Sequence, residues 1–354
     1  MNSSLSWPVI LGRLIEKTPL DRASASWAMN QIMSGEAAES QIGAFMVGLR
    51  AKGESVDELA GLVDTMLSHA VILDTGPDAV DIVGTGGDLV GTVNVSSMAS
   101  IVTSAVGIPV MKHGSRSASG KTGSSEMLEV LGIRLDLSPE RVADIFREVG
   151  LTFFFAPVFH PAMRHVAPIR KALGVPTTFN FLGPLANPAQ PIATSLGVAN
   201  PEVAPLLAGE MAARNRTALV FRGNDGLDEL STTTTSKIWQ VSGGEVVEME
   251  IDPRKFGIQL VEQEVLVGGD AHFNAEVARS VFANRTDGNL GAVRDIVALN
   301  AAAGVVTYEL AKDSTRSDVE INIRFEDALE RVSNALDSGA ASAKLSEWIA
   351  ATQK

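Results

Sequence analysis

The chain has 354 residues, of which 45% are hydrophobic and 20% are charged, a balance typical of a globular protein with a sizeable core. Its formal net charge of −13 argues against nucleic acid or an anionic membrane surface as a partner. The sequence contains no cysteine, which excludes disulfides, thiolate chemistry and cysteine-based zinc sites. No apolar run approaches the roughly 18 residues of a spanning helix, and the N-terminal sequence lacks the features of a signal peptide, so we expect a cytoplasmic protein.

The N-terminal part of the sequence predicts helices only. One helix is expected to start at Thr18, which is followed by a proline in the favoured first helical position. A second apolar-periodic segment covers about residues 40–52, and a third opens at Ser55 with the spacing of a capping box. The turn-forming residues 74–77 follow and indicate a domain boundary. We therefore predict a small all-helical domain over residues 1–74.

The pattern changes after this turn. Short apolar runs alternate with helical segments, which predicts βαβ units; the runs lie at residues 80–83, 108–111, 153–155, 193–198 and 218–221. Residues 159–187 begin with a helical pattern and are expected to return to the helical domain. The predicted fold class is therefore α/β, with the small N-terminal helical domain and a large α/β domain, residues 75–158 and 188–354, built on a central, mostly parallel sheet.

A glycine-rich segment follows the first predicted strand. Three glycines between residues 84 and 87 come directly after Val83, and an apolar helix is expected to begin near Ser96. Such a turn presents unobstructed backbone N–H groups to an anion at a helix N-terminus. The glycine spacing matches neither the dinucleotide fingerprint nor the P-loop. The alternative is a plain strand-to-helix turn in which Asn94 and Ser96 only cap the helix.

A second loop, residues 112–126, also follows a predicted strand. Lys112, Arg116 and Lys121 lie among glycines and hydroxyl side chains, a composition suited to a multiply charged anion. Local positive charge in so acidic a chain favours this interpretation over a solvated flexible loop.

An acidic loop follows the run at 218–221. In a loop at a strand end, the adjacent carboxylates of Asp228 and Glu229 can converge on one hard cation such as magnesium, although an acidic surface turn would have the same composition. Farther upstream, Arg164 and Arg170 could bind a carboxylate or simply face solvent. Three histidines, His113, His160 and His165, are possible catalytic groups, but such residues are more often structural.

Taken together, these segments resemble the anthranilate phosphoribosyltransferase family. The motifs that carry the resemblance lie at residues 84–88, 94–96, 112–114, 160–170 and 225–230, and in order and spacing they cover nearly the whole chain. The resemblance implies a homodimer formed through the helical domain, with the active site in the cleft between the two domains. It also implies transfer of a phosphoribosyl group from 5-phosphoribosyl 1-pyrophosphate to anthranilate, with Mg²⁺ as cofactor, in tryptophan biosynthesis.

The family's functional residues map onto this sequence as follows. Those implied to bind phosphoribosyl pyrophosphate are Gly84, Gly87, Asp88, Thr92, Asn94, Val95, Ser96, Ser97, Lys112, His113, Gly114, Ser115, Arg116, Ser117, Ala118, Ser119, Gly120 and Ser124. The implied magnesium ligands are Ser96, Asp228 and Glu229. Gly84, Ser115 and Arg170 are implied to bind anthranilate, with Arg170 facing its carboxylate. The implied catalytic residues are Lys112, Asp228, Glu229 and Arg170.

The sequence departs from the family pattern at a few positions. Ser115 stands where an asparagine is usual, and the shorter hydroxyl cannot reproduce the reach of an amide, which bears on anthranilate affinity. Leu89, Gly120 and Glu126 also differ from the usual residues. Two alternatives remain open: a pyrimidine nucleoside phosphorylase, which would use free phosphate without magnesium, and a catalytically silent ligand-binding relative. The paired carboxylates favour the transferase.

Overall fold

The computed structural model describes residues 5–73, 75–88, 90–116 and 122–354, and it divides into two compact units. The first unit comprises the described part of Met1–Ile72 together with Ala156–Pro188, and the second comprises the described parts of Leu73–Phe155 and Ala189–Lys354. The domain limits given above from the sequence stay a prediction. Asp74 in the turn at 74–77, Leu89, and Lys121 in the second loop lie outside the described residues.

After the first four helices, the helices and strands are interspersed along the chain, and the last four elements are helices again. In chain order, the regular elements are α1 (Trp7–Ile15), α2 (Arg22–Met33), α3 (Glu39–Lys52), α4 (Val56–Ser68), β1 (Val80–Gly84), α5 (Val95–Ala105), β2 (Val110–Gly114), α6 (Ser124–Leu131), α7 (Pro139–Val149), β3 (Leu151–Phe155), α8 (Ala156–Phe159), α9 (Ala167–Leu173), β4 (Ala193–Gly197), α10 (Val203–Ala213), β5 (Thr217–Gly223), β6 (Ser236–Ser242), β7 (Glu245–Ile251), α11 (Ala271–Phe282), α12 (Leu290–Lys312), α13 (Ile321–Asp337) and α14 (Ala340–Thr352).

Two helices of the first unit, α2 and α4, begin where side chains cap them. The capping box at Ser55 is present, since the Ser55 hydroxyl accepts from the Glu58 N–H at 3.3 Å and the Glu58 carboxylate accepts from the Ser55 N–H at 2.8 Å. The helix start expected at Thr18 was wrong. The helix begins at Arg22 because Asp21 caps it, accepting a bond of 2.7 Å from the Ser24 N–H.

The second unit is built on one seven-stranded sheet with the order β3-β2-β1-β4-β5-β6-β7. The first five of these strands are parallel, whereas β6 and β7 are antiparallel to their neighbours, so the expected mostly parallel sheet is confirmed. The chain runs from β1 to β2 on one side, and β4 later pairs with β1 on the other side. In open α/β sheets, ligands bind beyond the carboxyl ends of the strands at such a reversal.

The long helix α12 forms the centre of the second unit and packs against α5, α13 and β4. By length and composition alone it could cross a membrane, contrary to the expectation that no segment approaches that limit, but 72% of its most apolar stretch is buried inside the structure. A buried core helix meets the same criteria, and α12 supplies much of the core beneath the carboxyl ends of the strands.

Candidate active site

Four strands of the sheet end on a glycine at the same edge: Gly84 on β1, Gly114 on β2, Gly197 on β4 and Gly223 on β5. At two of these positions the lack of a side chain is required by the loop that follows β5. A β-carbon on Gly84 would overlap the Asp228 carboxylate, and one on Gly197 would overlap the Asp228 carbonyl oxygen. The glycines therefore allow the Asp228 segment to lie directly against the strand ends.

The first glycine-rich loop connects β1 to α5. Gly86 and Gly87 have φ angles of 68° and 86°, in the left-handed region that favours glycine. The Gly86 N–H donates to Oδ2 of Asp228 at 2.6 Å, across 142 residues of sequence. The side chain of Asn94, the residue before α5, makes no capping bond, so its identity is not explained by helix capping alone.

Lys112 lies beneath this loop and is only 2% exposed. Its Nζ donates to the Ile82 carbonyl at 2.5 Å and to the Ser96 hydroxyl at 3.2 Å. Burial lowers the pKa of the Lys112 ammonium, and the charges of nearby carboxylates, Glu229 among them, oppose that effect. Lys112 therefore orients Ser96 from inside the protein, at the start of the segment that the sequence predicted to bind an anion.

Asp228 and Glu229 lie in the irregular segment between β5 and β6, and each is 8% exposed. Burial, followed by the charge of Asp88, raises the pKa of Asp228 to about 6, while the Gly86 N–H opposes the rise. Burial and the charge of Asp228 raise the pKa of Glu229 well above its ordinary value. Two poorly solvated carboxylates thus lie near one buried ammonium, and when both are ionised this edge of the sheet carries an excess of negative charge.

Comparison with known proteins extends the picture to the whole chain. Residues 8–70 match a family model described as the helical bundle domain of a glycosyl transferase family, and residues 76–342 match its a/b domain. The anthranilate phosphoribosyltransferase of Leifsonia xyli subsp. xyli is 53% identical over 353 residues, covering 100% of both chains. The chain belongs to the anthranilate phosphoribosyltransferase family.

Solved anthranilate phosphoribosyltransferases have the same fold. The enzyme from Thermus thermophilus superposes with a TM-score of 0.87 at 35% identity, covering 98% of this chain and 99% of its own. The enzyme from Saccharomyces cerevisiae in complex with PRPP and Mg superposes with a TM-score of 0.86 at 25% identity, covering 99% of each chain. The resemblance and the fold class derived from the sequence motifs are both confirmed.

The carboxylate pair fits the magnesium ion expected of an anthranilate phosphoribosyltransferase. Carboxylate and hydroxyl oxygens are the ligands that Mg²⁺ prefers, and the unbalanced negative charge favours a divalent cation. Among the described residues, no group of three or more Asp, Glu, His or Cys side chains could hold a metal by itself. Ser96, Asp228 and Glu229 would therefore hold the ion together with oxygens of a substrate, as is common for magnesium bound by phosphates.

The other residues expected from the family pattern differ in their exposure and in their contacts. Val95 and Ser97 are each 1% exposed, so only their backbone is available to a ligand. Thr92 forms an isolated bridge with Val267, and Ser124 donates its hydroxyl to the Ser115 carbonyl at 3.3 Å. Four expected residues, Ser117, Ala118, Ser119 and Gly120, lie outside the described part of the chain.

The contacts and burial of the arginine and histidine side chains proposed from the sequence indicate what each of them can do. Arg116 pairs with Glu129 at 3.0 Å, and its guanidinium lies 5.7 Å from the centre of the Phe155 ring. Arg170 lies on α9 in the first unit, where burial lowers the pKa of its guanidinium. His160 is buried against the Ala186 carbonyl, and burial lowers its pKa to about 4, so it is neutral and structural at physiological pH.

The sequence analysis did not identify Asn300, which supports the segment that contains Asp228 and Glu229. Asn300 is buried on α12, and its side chain accepts from the Leu230 N–H at 2.9 Å and donates to the Leu230 carbonyl at 3.0 Å. It thereby fixes the residue that follows Glu229. The available signal was a lone amide in an apolar helix, because an asparagine in such a place must find polar partners.

Proposed function

We propose that this chain transfers the phosphoribosyl group of 5-phosphoribosyl 1-pyrophosphate to anthranilate, giving N-(5-phosphoribosyl)anthranilate and pyrophosphate in tryptophan biosynthesis. The observation that carries the proposal is the buried pair Asp228 and Glu229 beside an anion-binding loop at the carboxyl edge of the sheet. The name of the relative that is 53% identical over the full length supports the acceptor, and the yeast complex with PRPP and Mg supports the donor and the cofactor.

The residues of the second unit bind and orient the donor in this proposal. Backbone N–H groups of the glycine-rich loop and the N-terminus of α5 bind the diphosphate, because both present donors to an anion. Asp228, Glu229 and Ser96 would hold Mg²⁺, and Lys112 keeps the Ser96 hydroxyl in place. An ion bound by these residues would supply positive charge to neutralise the negative charge on the departing pyrophosphate.

The acceptor needs orientation more than activation. The amine of anthranilate is neutral near pH 7, so we assign no general base to the reaction, and the neutral, buried His160 is consistent with that assignment. Arg170 is proposed to bind the anthranilate carboxylate, and its always-charged guanidinium suits a bidentate contact. Holding the amine next to the anomeric carbon then lowers the barrier by proximity. The anomeric carbon becomes oxocarbenium-like in this step.

The experiment that tests the function follows anthranilate fluorescence in the presence of phosphoribosyl pyrophosphate and Mg²⁺, and repeats the reaction with EDTA. We expect a loss of fluorescence that requires the metal. A steady signal from folded protein would contradict the proposal. Phosphorolysis of a pyrimidine nucleoside without magnesium would then support the phosphorylase alternative. Retention on a polyanion resin without turnover would support a silent binding protein.

We also propose that the protein is a cytoplasmic homodimer formed through the helical unit. Exposed apolar side chains support this assembly: Ile15 at the end of α1 is 82% exposed, and Val47 on α3 is 43% exposed. Sedimentation equilibrium should give twice the mass of the chain. A monomer at micromolar concentration would contradict the assembly without affecting the proposed reaction.

A further inference from the structure

A segment that precedes α11 lies against the glycine-rich loop, although no site residue was expected there from the sequence. The Leu266 carbonyl accepts from the Val93 N–H at 3.1 Å, and the Gly91 carbonyl accepts from the Gly268 N–H at 2.8 Å. The first turn of α11 then brings Asn274, which is 2% exposed, next to Asn94. These contacts join two parts of the chain that are 180 residues apart.

The hydrogen bonds of Asn274 determine which way its amide is oriented. Its Oδ1 lies 2.8 Å from the Gly269 nitrogen, and a backbone N–H can only donate, so the oxygen must face that side. Nδ2 of Asn274 therefore faces Asn94 at 2.9 Å and donates to it. Because a donor requires an acceptor, Asn94 must turn its Oδ1 toward Asn274.

The same hydrogen bonds determine which atom of the Asn94 amide points away from Asn274. With its oxygen committed to Asn274, Asn94 directs Nδ2 to the opposite side, where it lies 3.4 Å from the Thr122 carbonyl. That carbonyl is an acceptor, so the orientation agrees at both ends. Thr122 belongs to the second anion-binding loop, and its hydroxyl donates to the Gly269 carbonyl at 3.0 Å. The Asn94 amide group is thus held between the two loops with its N–H side turned away from Asn274.

We propose that Asn274 is a positioning residue that makes Asn94 present N–H, and not a carbonyl oxygen, to the diphosphate of the donor substrate. The inference rests on the proposed function, because that function supplies the anion. Among the described residues, the Thr122 carbonyl uses one hydrogen of the Asn94 Nδ2, and the second hydrogen serves the diphosphate. A reversed amide would place a partial negative charge against an anion and weaken binding.

Glycine at position 268 is part of the same arrangement. A β-carbon there would lie 2.7 Å from Oδ1 of Asn274 and 3.0 Å from the Thr92 carbonyl. Both distances are shorter than normal carbon–oxygen contacts, so a side chain would displace either the Asn274 amide or the loop. The close approach of the two segments therefore depends on Gly268.

The substitution Asn274→Asp tests this inference with little change in shape. One carboxylate oxygen still accepts from the Gly269 N–H, but the other offers an acceptor to Asn94, which must rotate its amide to donate. We expect the dissociation constant of phosphoribosyl pyrophosphate with Mg²⁺, measured by calorimetry, to rise about tenfold or more, the range for losing a hydrogen bond to a charged group. Thermal unfolding of the same samples reports whether the fold is kept.

Two further variants separate amide orientation from added charge. Phe273→Asp places a carboxylate on the preceding, 52% exposed residue, without contact to Asn94, and we expect less than about threefold weakening because solvent screens the charge. In an Asn94→Ala background, Asn274→Asp should add less than about threefold, because the group through which it acts is absent. If Asn274→Asp does not fold, Asn274→Ser, which is smaller and neutral, replaces it, both alone and together with Asn94→Ala.

Each result has a definite meaning. A full loss of affinity from Asn274→Asp in the Asn94→Ala background would overturn the inference, because the carboxylate would then act by charge alone. Unchanged affinity in Asn274→Asp, or in Asn274→Ser where that variant replaces it, would overturn it as well. If the unaltered protein binds no phosphoribosyl pyrophosphate, the proposed function fails and the inference fails with it. If the unaltered protein binds and the variants do not differ from it, only the inference fails.

Discussion

Asp228 lies in surroundings that disfavour its charge, and a protein usually keeps such a group for binding or catalysis. Its carboxylate is nearly buried and is close to the charges of Asp88 and Glu229. Because burial raises its pKa to about 6 from an unfolded value near 3.8, the folded state holds a proton that the unfolded state has released between those pH values. Stability therefore falls as pH rises through this window, and the full penalty is present above about pH 6.

We expect Asp228→Asn to stabilise the metal-free protein while removing magnesium-dependent turnover. The neutral amide removes a penalty on the order of 2 kcal/mol at about pH 8, and its oxygen can still accept from the Gly86 N–H. Thermal unfolding in EDTA should shift upward by roughly 5 °C. Glu250→Gln, an exposed position on β7, changes the net charge equally and should alter neither property. A lower melting temperature for Asp228→Asn would contradict this account.

The sequence identified the carboxylate pair but not the environment of Lys112. A lysine among glycines and serines predicts an anion-binding loop, and only the course of β2 shows that this lysine is buried. The strand continues through Lys112 to Gly114, so the side chain points under the sheet edge toward Ser96. Burial of this kind depends on pairing with β1 and β3, which residue type and spacing do not specify.

At the scale of elements, the irregular segment between β5 and β6 is held by side chains. Asn300 bonds both backbone groups of Leu230, and Asp225 accepts from the hydroxyls of Ser231 and Thr233, each at 2.5 Å. Residues 224–235 all lie in the described part of the chain, and no strand or helix ladder fixes them. The placement of Asp228 and Glu229 therefore depends in part on these bonds.

We expect Asn300→Leu to destabilise the protein by about 2 to 5 kcal/mol, because the buried N–H and carbonyl of Leu230 lose their partners. The magnesium concentration for half-maximal activity should also rise, since the neighbouring Glu229 is no longer fixed. Thr307→Val provides a matched control on the same helix, because the Thr307 hydroxyl donates to the Ala303 carbonyl one turn away and to no other partner among the described residues. A magnesium titration and thermal unfolding of both variants measure the two effects. Normal magnesium dependence in Asn300→Leu would contradict the supporting role.

The parallel strands were predictable because buried strands leave apolar runs, but their limits were not. The run expected at 108–111 became a strand only from Val110, since Pro109 cannot donate to a ladder. The β6–β7 hairpin was missed altogether, although Gly243 and Gly244 have φ angles of 60° and 80°, as a two-residue hairpin turn requires. The Gly-Gly pair was a usable signal that the sequence analysis overlooked.

The whole molecule carries a net charge of −13, and its local structure explains how it can nevertheless bind a polyanion. The backbone N–H groups proposed to bind the diphosphate and the proposed metal ligands lie in the second unit, yet they come from segments as distant as Gly86 and Asp228. The sequence could suggest each segment separately, and the family motifs could place them in order. The contacts among them, such as that between Asn94 and Asn274, required the folded arrangement.

We expect Mg²⁺ and inorganic pyrophosphate together to raise the melting temperature by roughly 5 °C at concentrations near 100 times the dissociation constant, where linkage gives about 2.7 kcal/mol. Each component alone should have a smaller effect, because the metal ligands of the protein are incomplete without phosphate oxygens. Differential scanning calorimetry with each addition measures this. An equal shift in the Asp228→Asn variant would mean that the ion binds elsewhere.

The glycines that end β1, β2, β4 and β5 also limit how the protein can be re-engineered. Directed evolution toward a new acceptor commonly randomises the residues around a proposed site, and at this edge of the sheet those positions include Gly84 and Gly197. Because every larger residue there would push the Asp228 segment away, such a library would consist mostly of inactive clones. Diversity is better introduced at exposed positions such as Ser115, where a new side chain has room and the backbone is left undisturbed.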